Sequence, residues 1–254
     1  QILFLKAHCP NNKTIENIID NFLFKKNSFI FESVEKRRIR GRYTIIGTNP
    51  DKIWEFNKKK IHIIEYGKKK IIRSNPYIFL KKLIENFNFP LPKNLPQLSS
   101  LLVGYFSYDI IRLIEKIPDR CKENINIPDI RLMRPKNLII YDNVKRKIFY
   151  IENIFKEQKI ANYKIEYEKI KNTFSELSHC GNIELPSNFH RSNKKIKVKS
   201  NISKSKLKNI VLKAKDYIKR GDIFQVVLSQ RFQASIDKPP IEIYNTLRIL
   251  NPSP

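Results

Sequence analysis

An α+β fold, with antiparallel sheet faces packed on helices, is what this sequence predicts, and three patterns carry the prediction. Strand-like and helix-like runs alternate along the chain. Neighbouring strand-like runs are joined by short polar turns, which suit antiparallel pairs, whereas parallel pairs need a long crossover. Each helical run carries one apolar stripe and needs a sheet face or another helix to cover it. The 254 residues, 41% hydrophobic, suffice for one large or two medium cores.

The elements follow in order. TIENIIDNFLF, residues 14–24, sets Ile15, Ile18, Ile19 and Phe22 at helical spacing behind Thr14 as N-cap. SFIFES is a short β-rich run, and GRYTIIGTNP reads as a strand closed by a turn at Asn49–Pro50. KIWEFNKKKIHIIEYGKKKIIRSN gives three short antiparallel strands, with Asn57–Lys60 and Gly67–Lys70 as turns. The lysine runs there fall where charge stays solvated. PYIFLKKLIENF is a helix with Pro76 in its first turn. LLVGYFSYDIIRLIE begins as an apolar strand and turns helical near Tyr108. NLIIYDNVKRKIFYIENI is a hairpin turning at Asn143–Lys147, and ANYKIEYEKIKNTFSEL is an amphipathic helix.

Residues 178–203 lose this periodicity and hold Gly, Pro, Ser, Asn and Lys, so they read as a linker. It separates an N-terminal domain, 1–177, from the start of a second, 204–254. The second opens with a helix whose stripe is Leu207, Ile210, Val211, Ala214 and Ile218. Ser203 or Ser205 caps it and Gly221 stops it in the left-handed conformation. Ile223–Phe232 then reads as a strand with Phe224, Val226, Leu228 and Phe232 on one face and Gln225, Val227, Ser229 and Arg231 on the other. A last helix starts near Pro240 and stops before Pro252.

Fifty Lys and Arg against 24 Asp and Glu give a formal net charge of +26. One reading is a nucleic-acid-binding protein. The other is compositional drift in an AT-rich genome. The basic residues are spread along the chain, with runs at Lys58–Lys60, Lys68–Lys70 and Lys194–Lys199, and they carry no interleaved stacking aromatics. That pattern favours drift and no nucleic-acid partner. Cys9, Cys121 and Cys180 are odd in number and lack CxxC spacing, which argues against a disulfide framework or a zinc ribbon. The adjacent pairs His8–Cys9 and His179–Cys180 do not make a metal set. No apolar run reaches the roughly 18–20 residues of a membrane span, so no membrane association and a cytoplasmic setting are expected. The first residue is Gln1 and the last four are NPSP, so the chain reads as part of a longer one.

No nucleophile elbow, phosphate-binding glycine loop or metal-spaced histidine pair appears. What singles out a function is a resemblance. IKRGDIFQVVLSQRF, residues 218–232, resembles the opening of the chorismate-utilising domain of anthranilate synthase component I. FIFESVEKRRIRGRYTIIGTNP, LLVGYFSYDIIRLIE and the closing LRILNPSP are similar to three further segments of that family, in the same order. The resemblance runs from about Phe29 to Pro254 and implies a layered α/β/β/α sandwich, incomplete at the C-terminus. On it, strand Ile223–Phe232 belongs to the large sandwich, and its polar face makes structural contacts between layers.

The resemblance implies conversion of chorismate and ammonia to anthranilate and pyruvate, with Mg²⁺ as cofactor and a glutamine amidotransferase subunit as partner, hence a hetero-oligomer. It implies tryptophan as a feedback effector. The family's metal-binding and catalytic residues are expected beyond Pro254, so no catalytic and no metal residue is assigned, and the chain alone is expected to be inactive. Its effector motif is matched by Glu32 and Ser33, whose carboxylate and hydroxyl suit an ammonium group. Arg42, in the following strand, is a further candidate. Asn251, Pro252 and Pro254 match a second effector segment whose prolines form rigid apolar walls. Each has a plainer alternative: Glu32 pairing with a nearby arginine, Arg42 solvated on its strand, the prolines ending a helix. The two segments flank the linker, which would couple tryptophan binding to domain arrangement. Aminodeoxychorismate synthase component I shares the fold and is the neighbouring alternative.

Overall fold

A computed structural model of the protein describes residues 2–8, 18, 22, 25–32, 41–58, 60–87, 91–118, 125–155, 157, 162–179 and 196–251. The chain divides into two compact units: residues 1–184 together with 247–254, and residues 185–246. The proposed linker residues 180–195 and all three cysteines lie outside the described residues, as do Ser33, Pro252 and Pro254.

The first unit is built on one antiparallel sheet of eight strands. They are β1 (Ile2–His8), β2 (Phe29–Phe31), β3 (Tyr43–Asn57), β4 (Lys60–Glu65), β5 (Lys68–Arg73), β6 (Val103–Phe106), β7 (Ile130–Asp142) and β8 (Lys147–Asn153). The order is β1-β8-β7-β3-β4-β5, with β2 also on β3 and β6 also on β7. The α+β expectation holds. The β7–β8 hairpin turns at residues 143–146, where the sequence places it, and the Asp142 carboxylate accepts the Val144 and Lys145 N–H groups at 3.1 and 3.0 Å. Those bonds explain why an aspartate opens this turn.

Two turn assignments need correction. Asn49–Pro50 is not a turn: β3 runs on to Asn57, and its register against β7 shifts between Pro50 and Lys52. Asn49 takes a left-handed φ of 54° and Pro50, which has no N–H to pair, sits at the bulge. A bulge and a turn want the same residue types, so the dipeptide alone does not separate them. Lys68–Lys70 is not a turn either. Tyr66 (φ 47°) and Gly67 (φ 78°) make a two-residue primed turn, and the lysines lie exposed in edge strand β5. The tight turn leaves no room for them.

Helices cover the sheet. One apolar cluster joins Ile46, Ile139, Tyr141, Ile148 and Tyr150 to Ile170 and Phe174 of α2 (Tyr163–His179) and to Ile18 and Phe22, the two described residues of the first expected helix. Both are helical and buried. A second cluster packs Ile45, Leu138, Ile140, Phe149 and Ile151 with Leu95. A third sets Trp54, Phe56, Ile61, Ile130 and Leu132 under Phe79, Leu80 and Leu83 of α1 (Pro76–Asn86) and under Ile110 and Leu113 of a 3-10 turn, Tyr108–Leu113. Burying one such side chain contributes about 1.5–3 kcal/mol. Asn75 caps α1, its Oδ1 accepting from Tyr77 and Ile78 N–H at 2.9 and 3.3 Å, with Pro76 directly after it. Gly104 of β6 leaves room for the β7 backbone, since a Cβ there would collide with the Arg131 carbonyl.

The second unit contains α3 (Lys204–Lys219), capped by Ser203 Oγ accepting from Lys206 N–H at 3.2 Å. It ends as expected at Gly221 (φ 77°), with Gly221 N–H donating to Ile218 O and Asp222 N–H to Tyr217 O, both at 3.0 Å. The end of the proposed linker forms β9 (Val198–Ser200), paired with β10 (Phe232–Ala234). The expected strand over 223–232 is the third correction. Only Phe232 lies in a strand; Phe224 is fully exposed and Val227 is 82% exposed. No described strand pairs with 223–231, and without pairing partners apolar alternation cannot become a sheet strand. Gln230 Nε2 donates to Ser200 Oγ at 2.7 Å and Arg231 N–H to Asn201 Oδ1 at 2.9 Å, while Gln225 and Ser229 stay exposed. The final helix, α4, spans Pro240–Leu250 as the sequence predicts. Among the described residues no helix is long and apolar enough to cross a membrane.

Candidate functional site

Glu32 is delivered by β2, a strand of three residues fixed by its aromatic side chains. Phe29 sits opposite Gly47 of β3, where a Cβ would strike its ring, and its ring centroid lies 5.1 Å from that of Phe31. β2 is therefore pressed flat on β3, and the chain leaves it with the Glu32 side chain only 8% exposed. A carboxylate that buried needs a cation or donors. Arg248, in the last turn of α4, supplies one: its Nε lies 3.0 Å from Glu32 Oε1. A cation at this end of a helix also complements the helix dipole. Asn251 follows directly, its N–H donating to Leu247 O at 2.8 Å.

Residues 247–251 belong to the first unit, so two segments distant in sequence and singled out separately meet here: Glu32 and the end of α4. The plainer alternative for Glu32, an arginine partner, is what the structure shows, and Arg248 is the residue that sequence reading did not name. Glu32 has further interactions besides this one.

Arg42 lies at the end of β3 toward which the β2 register (Phe31 opposite Ile45) carries Glu32. Its guanidinium is committed elsewhere. Nε lies 3.2 Å from both Asp142 oxygens, a terminal nitrogen lies 2.7 Å from Oδ2, and the group stacks 4.8 Å from the Tyr43 ring centroid. Burial works against an ionised Asp142, but the Arg42 hydrogen bonds, the Lys145 and Val144 N–H groups and the Arg42 charge outweigh it and hold the carboxyl below its usual range. Arg42 thus ties the start of β3 to the β7–β8 turn.

A second charged cluster sits at the β3 bulge. Asp51 and Arg134 are both buried and joined by two hydrogen bonds, at 2.8 and 2.5 Å, with the guanidinium 3.8 Å from the Phe155 ring centroid. Glu157 reaches Lys52 at 3.0 Å and Arg134 at 3.4 Å. Burial pushes the Glu157 carboxyl up, but the Lys52 hydrogen bond, its own N–H and the charges of Arg134 and Lys52 hold it down at about 2. These groups are satisfied pairs and leave no acid or base poised for chemistry. Among the described residues no three His, Cys, Asp or Glu gather as a group that could hold a metal ion.

The chorismate binding enzyme family matches residues 26–254, the span over which the sequence resemblance runs. The chain is 36% identical over 233 residues to anthranilate synthase component 1 of Acetivibrio thermocellus, covering 89% of this chain and 47% of that protein. It is 32% identical over 238 residues to the protein of that name from Cereibacter sphaeroides, covering 91% and 47%. The crystal structure of anthranilate synthase component I from Streptococcus pneumoniae TIGR4 superposes with a TM-score of 0.67 at 27% identity, over 90% of this chain and 48% of that one. The chain spans about half the length of the curated relatives it matches. The fold is of the chorismate-utilising type expected from the sequence.

Proposed function

The chain belongs to the chorismate binding enzyme family, and from that premise we propose that it serves component I of an anthranilate synthase. The reaction converts chorismate and ammonia to anthranilate and pyruvate, with ammonia supplied from glutamine by an amidotransferase subunit. The observation that carries this reading is the match over residues 26–254 together with relatives of that name at 36% and 32% identity. Mg²⁺ would screen the substrate carboxylates when bound, and its ligands are expected beyond residue 254.

The part of the enzyme offered by this chain is control. The Glu32 carboxylate and Ser33 hydroxyl would receive the ammonium of tryptophan, with Asn251, Pro252 and Pro254 alongside. The meeting of Glu32 with the last turn of α4 supports this, because it sets the two segments side by side. A ligand ammonium would compete with Arg248 for the carboxylate, and that exchange is the chemical event by which an effector would be sensed.

The test uses the full-length protein with chorismate, ammonium and Mg²⁺, following anthranilate fluorescence with and without tryptophan. Turnover that falls with tryptophan supports both parts of the reading. Ser33→Phe and Glu32→Ala should each lift inhibition at least tenfold while turnover stays within twofold. Inhibition retained in both variants removes the effector assignment. Release of aminodeoxychorismate instead moves the protein to the folate-pathway enzyme of the same fold. No turnover together with steeply salt-dependent DNA binding would restore the basic-binder reading.

A further inference from the structure

A small cavity of about 290 Å³ opens on the α2-covered face of the sheet. Phe22, Lys25, Lys26, Thr48, Asn49, Asn137 and Tyr150 line it. It lies where the sheet face changes character. Across β3, β7 and β8, the row Ile46–Ile139–Tyr150 belongs to the apolar cluster. The next row, Thr48–Asn137–Glu152, is polar. A polar row inside a covered face needs partners.

Most of that need is met internally. Asn49 Nδ2 donates to Asn137 Oδ1 at 3.1 Å. Asn137 Nδ2 lies 3.3 Å from both the Tyr150 hydroxyl and Glu152 Oε2. Lys136 pairs with Glu152 at 2.8 Å and so offsets that carboxylate. Two hydroxyl protons are left over. Thr48 is 2% exposed, and its Oγ1 has no hydrogen-bond partner. Tyr150 accepts from Asn137 and keeps its own proton to donate. Burial and the Glu152 charge push that phenol up to about 12, so it stays protonated.

The remaining polar lining groups are ammoniums. Lys25 and Lys26 are exposed residues at the cavity, and Lys25 Nζ lies 4.6 Å from the Phe22 ring centroid. Two buried hydroxyl donors and two cations, with Glu152 already paired to Lys136 and Asp51 to Arg134, make a receptor for negative charge. The volume is at the small end of the range of about 300–1,000 Å³ for ligand pockets. The left-handed Asn49 holds the bulge that shapes one wall.

We infer that this cavity is a binding site for a small oxyanion, a carboxylate or phosphate group, held by the Thr48 and Tyr150 hydroxyls and by Lys25 and Lys26. The site is separate from Glu32 and Arg248 and does not depend on the activity proposed above.

The experiment is calorimetric titration of the full-length protein with inorganic phosphate and, separately, with acetate at low ionic strength. Thr48→Val removes the hydroxyl at nearly constant volume, and deleting an unpartnered buried hydroxyl leaves folding intact, which a thermal melt checks. Binding of at least one of the two anions is expected, weakened at least fivefold by Thr48→Val and again by Lys25→Gln with Lys26→Gln. Phosphate alone binding marks a phosphorylated ligand, and acetate binding marks a carboxylate one. Lys69→Gln with Lys70→Gln, on the edge strand, should change nothing. Three outcomes overturn the site: no binding of either anion, binding unchanged by Thr48→Val, or equal loss from the edge-strand pair, which would mark general attraction to a basic surface. A lowered melting temperature for Thr48→Val would also count against it, because it would show that the hydroxyl has a structural partner.

Discussion

Residues 137–142 of β7 and residues 223–231 read alike in sequence, as apolar-rich runs fit for a strand, yet they end in opposite states. β7 pairs with β3, β8 and β6, and Leu138 and Ile140 are fully buried. In the other segment Val226, Val227 and Leu228 are 44%, 82% and 37% exposed, with no described strand beside them. The difference teaches that alternation encodes a demand for burial, while fulfilment depends on which neighbours the chain brings. α2 and α3 repeat the lesson for helices. Ile170 of α2 is buried on the sheet, whereas Val211 and Ile218 in the stripe of α3 are 41% and 46% exposed.

The comparison can be broken by mutation. The largest effect should come from Arg134→Met beside β3, which strands the buried Asp51 carboxylate. A loss of about 3–5 kcal/mol in urea unfolding is expected. A loss below about 1 kcal/mol would mean that water reaches the pair. Leu138→Ala in β7 should cost about 3 kcal/mol through the cavity left at a fully buried position.

Acid sharpens the contrast in a smaller way, because the depressed carboxylates belong to the first unit. Asp142 and Glu157 titrate lower in the folded chain than in the unfolded one. Their contribution is complete above the unfolded values and is lost as pH falls. For Glu157 the loss runs from 4.5 down to about 2. Glu157→Gln should flatten the stability profile in that window, lower stability at pH 7 by the small contribution of a half-exposed pair, and leave stability below about pH 2 unchanged. A profile as steep as the parent's would exonerate Glu157. The smallest effect is Val227→Ala, within about 0.5 kcal/mol. A cost above about 1.5 kcal/mol would show that the segment is packed in solution, and the contrast with β7 would fall.

Local signals in the sequence were legible where one residue decides the geometry. Pro76, Ser203 and Gly221 each mark a helix end through a fixed φ, a specific hydrogen bond or a left-handed φ. Legibility failed where the same residue serves two geometries, as at Asn49–Pro50, and where a partner distant in sequence decides, as for 223–231. Where Glu32 meets the end of α4, the resemblance singled out Glu32 and Asn251 as candidates, but Arg248, the partner Glu32 has, was not named. Nothing about an arginine on a helix announces which carboxylate it will meet. Thr48 is a similar case. Its place in a strand is readable, but the missing partner of its hydroxyl becomes visible only with β7, β8 and Phe22 around it.

The three lysines of β5 bear on a hazard of every open sheet. The outer side of an edge strand carries unpaired N–H and C=O groups and can recruit a strand from another molecule. Lys68, Lys69 and Lys70 lie exposed on that edge, and an incoming chain would have to crowd their ammonium groups together and strip their water. A composition that looks like genomic drift thereby acts here as a guard against self-association. Acetylating those lysines should leave the fold alone and make the protein cloud from solution sooner.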